Sequence, residues 1–179
     1  KTLVTPTAYA VKMALLDVSI RTYGRAVGEA WFSILRDLKV AVALPTHLSI
    51  LKTFIKVLRP HKDEKLKDVY GTGLEGPKGN TIAYRELVHY GGSLKIAVTY
   101  PALVQDGPDL SSLLALIHYL GKRGGFMQWR GHTRCEELGD EFVVLNPDQP
   151  PVEFAVEGLL QIVDDCGPEM TFQHADVYS

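Results

Sequence analysis

The sequence predicts an α+β fold, with an antiparallel sheet and two helical elements packed on one of its faces. Three observations lead there. Apolar residues recur at helical spacing near the start, runs rich in Val, Ile and Leu alternate as strands do between 39 and 100, and helical spacing returns after Asp109. A chain of 179 residues that is 46% hydrophobic can fill one good core. A single domain over 1–179 is therefore expected, with 60–80 as an inserted loop and 136–179 as an acidic C-terminal part.

Each element has its own signal. In Thr5-Pro6-Thr7, Thr5 suits a helix cap and Pro6 the first helical position. Ala8, Val11, Leu15 and Val18 then form an apolar stripe, with Lys12 off it. Gly24 and Gly28 interrupt before a second helical piece over 29–37. Strands are expected at 39–44 and 49–59, split by Pro45. Alternation in the second puts Leu51, Thr53, Ile55 and Val57 on one face and Lys52, Phe54 and Lys56 on the other. Residues 60–80 are charged and then rich in Gly and Pro, the signature of a long mobile loop. Strands at 81–90 and 93–100 are expected to form a hairpin around Gly91-Gly92. Asp109 can cap a helix over 110–119 that buries Leu110, Leu113, Leu114 and Ile117. Short strands are expected at 126–130, 141–145 and 152–156, and a last strand or short helix at 157–163.

The net charge of −2 conceals a polarity. Residues 1–62 hold 10 Lys/Arg against 3 Asp/Glu, residues 63–135 hold 9 against 7, and residues 136–179 hold none against 11. That distribution fits a basic working face and an acidic face turned elsewhere, for solubility or for a basic neighbour. No apolar run reaches the ~18 residues needed to cross a bilayer, so no membrane contact is expected. There is no secretory signal pattern. The start at Lys1 rather than Met suggests that an N-terminal stretch is absent. Cys135 and Cys166 stand without a partner motif, so a reducing cytoplasm is the expected location.

Two clusters suggest contact with a nucleic-acid strand. Tyr119-Leu120-Gly121-Lys122-Arg123-Gly124-Gly125-Phe126 sets two cations between glycines, with aromatics at both ends and Gln128, Trp129 and Arg130 close behind. Glycine lets backbone approach a ligand, Lys and Arg attract phosphate, and aromatic rings stack on bases. The plainer reading is a turn with solvated cations. On the strand over 49–59, Lys52, Phe54 and Lys56 combine charge and an aromatic on one open face, as single-stranded RNA is commonly met. Exposed strand lysines also guard sheet edges, which is the plainer reading there.

Other patterns carry less. Gly71-Thr72-Gly73-Leu74-Glu75-Gly76 matches a dinucleotide fingerprint but lacks the strand and helix that make it work. His132 and Cys135 make half of a zinc site with no second half at usual spacing, so neither a metal nor any other cofactor is expected. Walker A and G-x-S-x-G motifs are absent from the sequence. Glu136-Glu137 and Asp164-Asp165 read as solvated carboxylates. Metal-free RNA cleavage needs a base, an acid and a cation, for which His118, Tyr119 and Lys122, or His89 and Tyr90, lie close in sequence.

Taken together, several segments resemble the Cas-five proteins, RAMP-superfamily subunits of the CRISPR Cascade complexes of antiviral defence. The likeness lies in Thr5-Pro6-Thr7-Ala8-Tyr9-Ala10-Val11-Lys12-Met13-Ala14-Leu15-Leu16, in Thr53-Phe54-Ile55-Lys56-Val57-Leu58, in Tyr84-Arg85-Glu86-Leu87-Val88-His89-Tyr90-Gly91-Gly92 and in His118-Tyr119-Leu120-Gly121-Lys122-Arg123-Gly124-Gly125-Phe126. It spans most of 3–130, and the tail from 136 adds little. The resemblance implies a ferredoxin-like, RRM-related domain with a thumb, for which 60–80 is the candidate, and an opening strand missing before the first helix.

It also implies a non-catalytic subunit that caps the 5′ handle of the guide RNA and joins the large subunit to the backbone filament, near target DNA within the complex. On that reading Lys122, Arg123 and the Gly124-Gly125 backbone meet handle phosphates, and Tyr119 and Phe126 flank them. Lys52 and Lys56 line the same path, Phe54 or Tyr23 stacks on a base, and Thr5, Thr7 and Lys12 bind RNA near the helix start. One branch of the family cleaves precursor RNA with a tyrosine and a Lys-His pair. This chain has no Lys-His dipeptide, so the non-cleaving role is expected and a metal-independent endoribonuclease is the alternative.

Overall fold

Thr7, not Thr5, starts the first helix in the computed structural model, which describes residues 3–60, 78–100, 107–121, 125–148 and 161–175. The Thr7 side chain accepts a hydrogen bond from the Ala10 backbone N–H, satisfying one of the helix's orphan donors, and α1 runs Ala8–Tyr23. Thr5 instead accepts a bond from Gln161 Nε2 at 3.1 Å. The stripe of Ala8, Val11, Leu15 and Val18 is buried, as its spacing predicts. Gly24, at φ +91°, turns the chain directly into α2, Arg25–Arg36. Gly28 does not interrupt that helix. It lies buried inside it, where an added Cβ would overlap Ile20 Cγ1 of α1, so it marks the close approach of the two helices.

The described residues form two compact units. One comprises the described parts of Leu3–Thr46 and Gly92–Ser179. Its sheet has β1, Lys39–Ala43, at the centre, antiparallel to β4, Lys95–Thr99, on one side and to β5, Val143–Val144, on the other. Val40 of β1 joins Val11, Leu15, Leu35, Leu113 and Phe172 in the core, with Ile96, Val98 and Leu145 packed against it. After β4 comes α3, Leu110–Ala115, with Asp109 as its N-cap as expected; it is shorter than 110–119. A short α4, Phe172–Ala175, which no sequence signal announces, places Phe172 against Phe32 with ring centroids 6.0 Å apart.

The other unit is His47–Gly91, a two-stranded antiparallel ribbon of β2, Leu48–Pro60, and β3, Lys78–Tyr90, in register from Leu48↔Tyr90 to Pro60↔Lys78. This corrects two expectations. The strands on either side of Gly91-Gly92 are not hairpin partners, because β3 pairs with β2 while β4 pairs with β1. Residues 78–80, assigned to the long loop, belong to β3. In chain order the ribbon is an insertion between two neighbouring strands. Residues 61–77 and 152–156 lie outside the described residues, as does the Gly71–Gly76 motif. Over 126–130 there is one bridge, Tyr119↔Phe126, rather than a strand. The architecture is mixed α+β with antiparallel sheets.

Candidate nucleic-acid interface

Alternation along β2 and β3 builds one face of the ribbon. Directly paired residues share a face, so Lys52, Phe54 and Lys56 stand beside Glu86, Tyr84 and Ile82. Phe54 is 70% exposed and Tyr84 53%, with ring centroids 5.1 Å apart and planes at 65°. This edge-to-face geometry is favoured between aromatic rings and fixes the orientation of both. Lys52 meets Glu86 across the strands at 3.7 Å. Such exposed pairs contribute about 0–1 kcal/mol, so a phosphate can compete for the ammonium. Lys56 is exposed and has no ion pair among the described residues. Tyr90 ends the same face, and burial raises its hydroxyl pKa above the ordinary value. Tyr84, which no motif singled out, is recognisable only once the register pairs it with Phe54.

The glycine-rich loop is held at both ends. Leu120 N–H donates to Gly125 O at 3.1 Å, and Met127 N–H to His118 O at 2.8 Å, around the Tyr119↔Phe126 bridge. Phe126 is 82% exposed, whereas Tyr119 is half-buried. Lys122, Arg123 and Gly124 lie outside the described residues. Tyr119 and Gly121 line a groove of about 670 Å³ together with Tyr9, Met13, Leu16 and Ile20 of α1, Arg25 of α2 and Phe172 of α4. The α1 residues that share this groove with the loop are therefore not Thr5, Thr7 or Lys12. Tyr23, at the end of α1, packs edge-on against Trp31 at 5.3 Å and stays half exposed.

Lys12 departs furthest from expectation. It is 1% exposed, donates to Arg36 O at 2.6 Å and pairs with Asp165 at 2.7 Å. Thr7 is also buried, as the helix cap. Asp165, expected to be solvated, also accepts from Asn146 Nδ2 at 2.9 Å, and Asn146 reaches Leu38 O and the Val40 N–H. These residues border a hollow of about 590 Å³ with Arg36, Asp37, Lys39, Asp148 and Cys166. Arg36 hydrogen-bonds Asp37 and holds its carboxyl below the usual range, and Lys39 pairs with Asp148 at 2.5 Å. Burial pushes the Cys166 thiol up to about 11. Each of the hollow's cations has a carboxylate partner, so no net positive charge remains for a phosphate.

The acidic C-terminal part is divided: Glu136, Glu137 and Asp140 are exposed, whereas three of its carboxylates pair with lysines. Asp148, Asp165 and Glu141 pair with Lys39, Lys12 and Lys95, and the Asp164 carbonyl accepts from the Tyr9 N–H. Opposite charges far apart in sequence meet because folding brings the tail against α1 and β1.

Among the described residues no group of His, Cys, Asp and Glu is arranged to hold a metal ion, and no helix is long and apolar enough to cross a membrane. Comparison with family models, with curated proteins and with solved structures finds no match.

Proposed function

We propose that this chain is a non-catalytic RNA-binding subunit of a CRISPR interference complex, of the Cas-five kind, holding the 5′ handle of the guide RNA. The observation that carries the reading is the ribbon face, where an exposed, pre-oriented Phe54–Tyr84 pair lies between Lys52 and Lys56. Bases stack on exposed rings while flanking ammonium groups neutralise phosphates. The paired ends of the Tyr119–Phe126 loop support a second grip through Lys122 and Arg123. Large-subunit and backbone-filament partners, and target DNA reached through the complex, follow from the same reading. The finer fold assigned is ferredoxin-like and RRM-related, without its first strand. Helices before β1, antiparallel β1 and β4, and a helix after β4 support it. The β2–β3 ribbon then takes the position of the thumb.

Cleavage is not part of the proposal. His89 and Tyr90 are consecutive on β3 and so lie on opposite faces of the ribbon.

The test is binding of labelled RNA carrying the handle to the full chain and to the assembled complex. Lys52→Ala/Phe54→Ala/Lys56→Ala is expected to weaken binding about tenfold or more. The dependence of log K on log salt should flatten by about 1.4, roughly 0.7 for each lost phosphate contact. RNA incubated with EDTA should stay intact. Absence of handle binding by the wild type, or full binding by the triple variant, would sink the reading.

A further inference from the structure

The segment that follows the glycine-rich loop has no secondary structure and is almost continuously exposed from Gln128 to Glu141. Yet its composition is not that of an idle loop. Phe126 is 82% exposed and Trp129 38%, and the Trp129 ring lies 5.9 Å from His132 with the planes tilted by only 34°. Arg130 and Arg134 are exposed, and neither has an ion-pair partner among the described residues. That contrasts with Lys12, Arg21, Arg36, Lys39, Lys52 and Lys95, all matched to a carboxylate. An exposed Phe126 and a partly exposed Trp129, close in sequence to arginines without an ion pair among the described residues, combine what a nucleic-acid strand needs: flat faces for bases and charge for phosphates.

We infer that Phe126–Arg134 is a further single-stranded RNA contact, continuing from the glycine-rich loop, in which Trp129 and Phe126 stack on bases while Arg130 and Arg134 neutralise phosphates. This rests on the proposed RNA-binding function and adds a site to it. The backbone here is irregular and every residue of Phe126–Arg134 except Met127 is exposed, so the strand is met by an open surface rather than a closed pocket. His132 lies beside Trp129, its ring tilted by 34° at 5.9 Å, and Trp129 keeps 38% of its surface exposed. Two guanidinium groups and no carboxylate within Phe126–Arg134 favour a polyanion over an apolar protein partner, and the exposed Glu136 and Glu137 mark where the contact ends.

The chain has two tryptophans, Trp31 and Trp129, which gives the experiment its readout. In a Trp31→Phe background, titration with single-stranded RNA is expected to quench Trp129 emission saturably. Trp129→Ala should weaken binding by about tenfold or more, whereas Trp129→Phe, which keeps a stacking face, should stay within about threefold of wild type. Arg130→Ala/Arg134→Ala should flatten the salt dependence of log K by about 1.4. These side chains are exposed, and circular dichroism checks that each variant folds. If RNA binds but Trp129 emission, affinity and salt slope all stay unchanged, this site is overturned and the ribbon reading survives. If the wild-type chain binds no RNA, both fall together.

Discussion

Lysine in a helix is usually best left in water, yet Lys12 lies under α1 with its ammonium held by Asp165 and the Arg36 carbonyl. Its stem covers apolar surface while its head is fully hydrogen-bonded, which is what makes a buried charge tolerable. Removing either partner would strand the other, so this contact fixes where the 161–170 segment sits against α1. Capping is decided at the same scale. Thr7 has its hydroxyl on the Ala10 N–H, whereas Thr5 bonds Gln161. Thr7→Ala is expected to destabilise the protein by about 1 kcal/mol in urea unfolding, and Thr5→Ala by less. Equal losses, or a larger loss at Thr5, would mean that the helix starts where the sequence alone suggested.

Among the elements, the α1–α2 pair depends on a missing side chain. Alanine in place of Gly28 would gain helix propensity, about 1 kcal/mol in an open helix. Here the added Cβ meets Ile20 Cγ1, which belongs to a β-branched residue with little rotamer freedom in a helix. Overpacking should win, and Gly28→Ala is expected to cost about 1–3 kcal/mol net. Adding Ile20→Ala should restore part of that loss in a double-mutant cycle; strict additivity would deny the contact. The ribbon obeys a different logic. Two strands without a third are marginally stable alone, and this pair leaves Ile50, Leu51, Phe54, Ile82, Tyr84 and Leu87 exposed. Its exposed aromatics are not part of a core, and on the proposed function they are the surface that meets RNA.

Across the larger unit, three carboxylates of the acidic C-terminal part pair with lysines far from them in sequence. Lys12, Lys39 and Lys95 are each matched by a carboxylate from 141–165, and Phe172 fills the core beside Phe32. The tail is therefore structural. Phe172→Ala is expected to cost about 3–5 kcal/mol, and a chain ending at 160 should lose its cooperative thermal transition. A truncated chain that kept that transition and bound RNA more tightly would restore the view of the tail as a separate acidic face. Among the described residues, Lys56 on the ribbon and Arg130 and Arg134 after the glycine-rich loop are exposed cations with no ion pair.

Local pattern alone determined the elements whose signal is periodic. The α1 stripe, the Lys52-Phe54-Lys56 alternation and the Asp109 cap follow from 3.6- and 2-residue repeats and from short-range hydrogen bonds, and each is read correctly from adjacent residues. Strand pairing is a different matter. A glycine pair between two strands suggests a hairpin, but whether β3 pairs with β4 or with β2 depends on which partner offers thirteen paired residues in register, a choice made across the chain. The same holds for charge. Sequence gives Lys12 and Asp165 opposite signs 153 residues apart, and only packing of the tail against α1 turns them into a buried pair. Tyr84 became a candidate through position in space, facing Phe54 across the ribbon. Trp129, already legible beside the glycine-rich loop, gained weight from standing exposed near arginines without an ion pair among the described residues. Short-range periodicity is encoded in neighbours, whereas register, burial and charge pairing are settled when distant segments compete for the same partners.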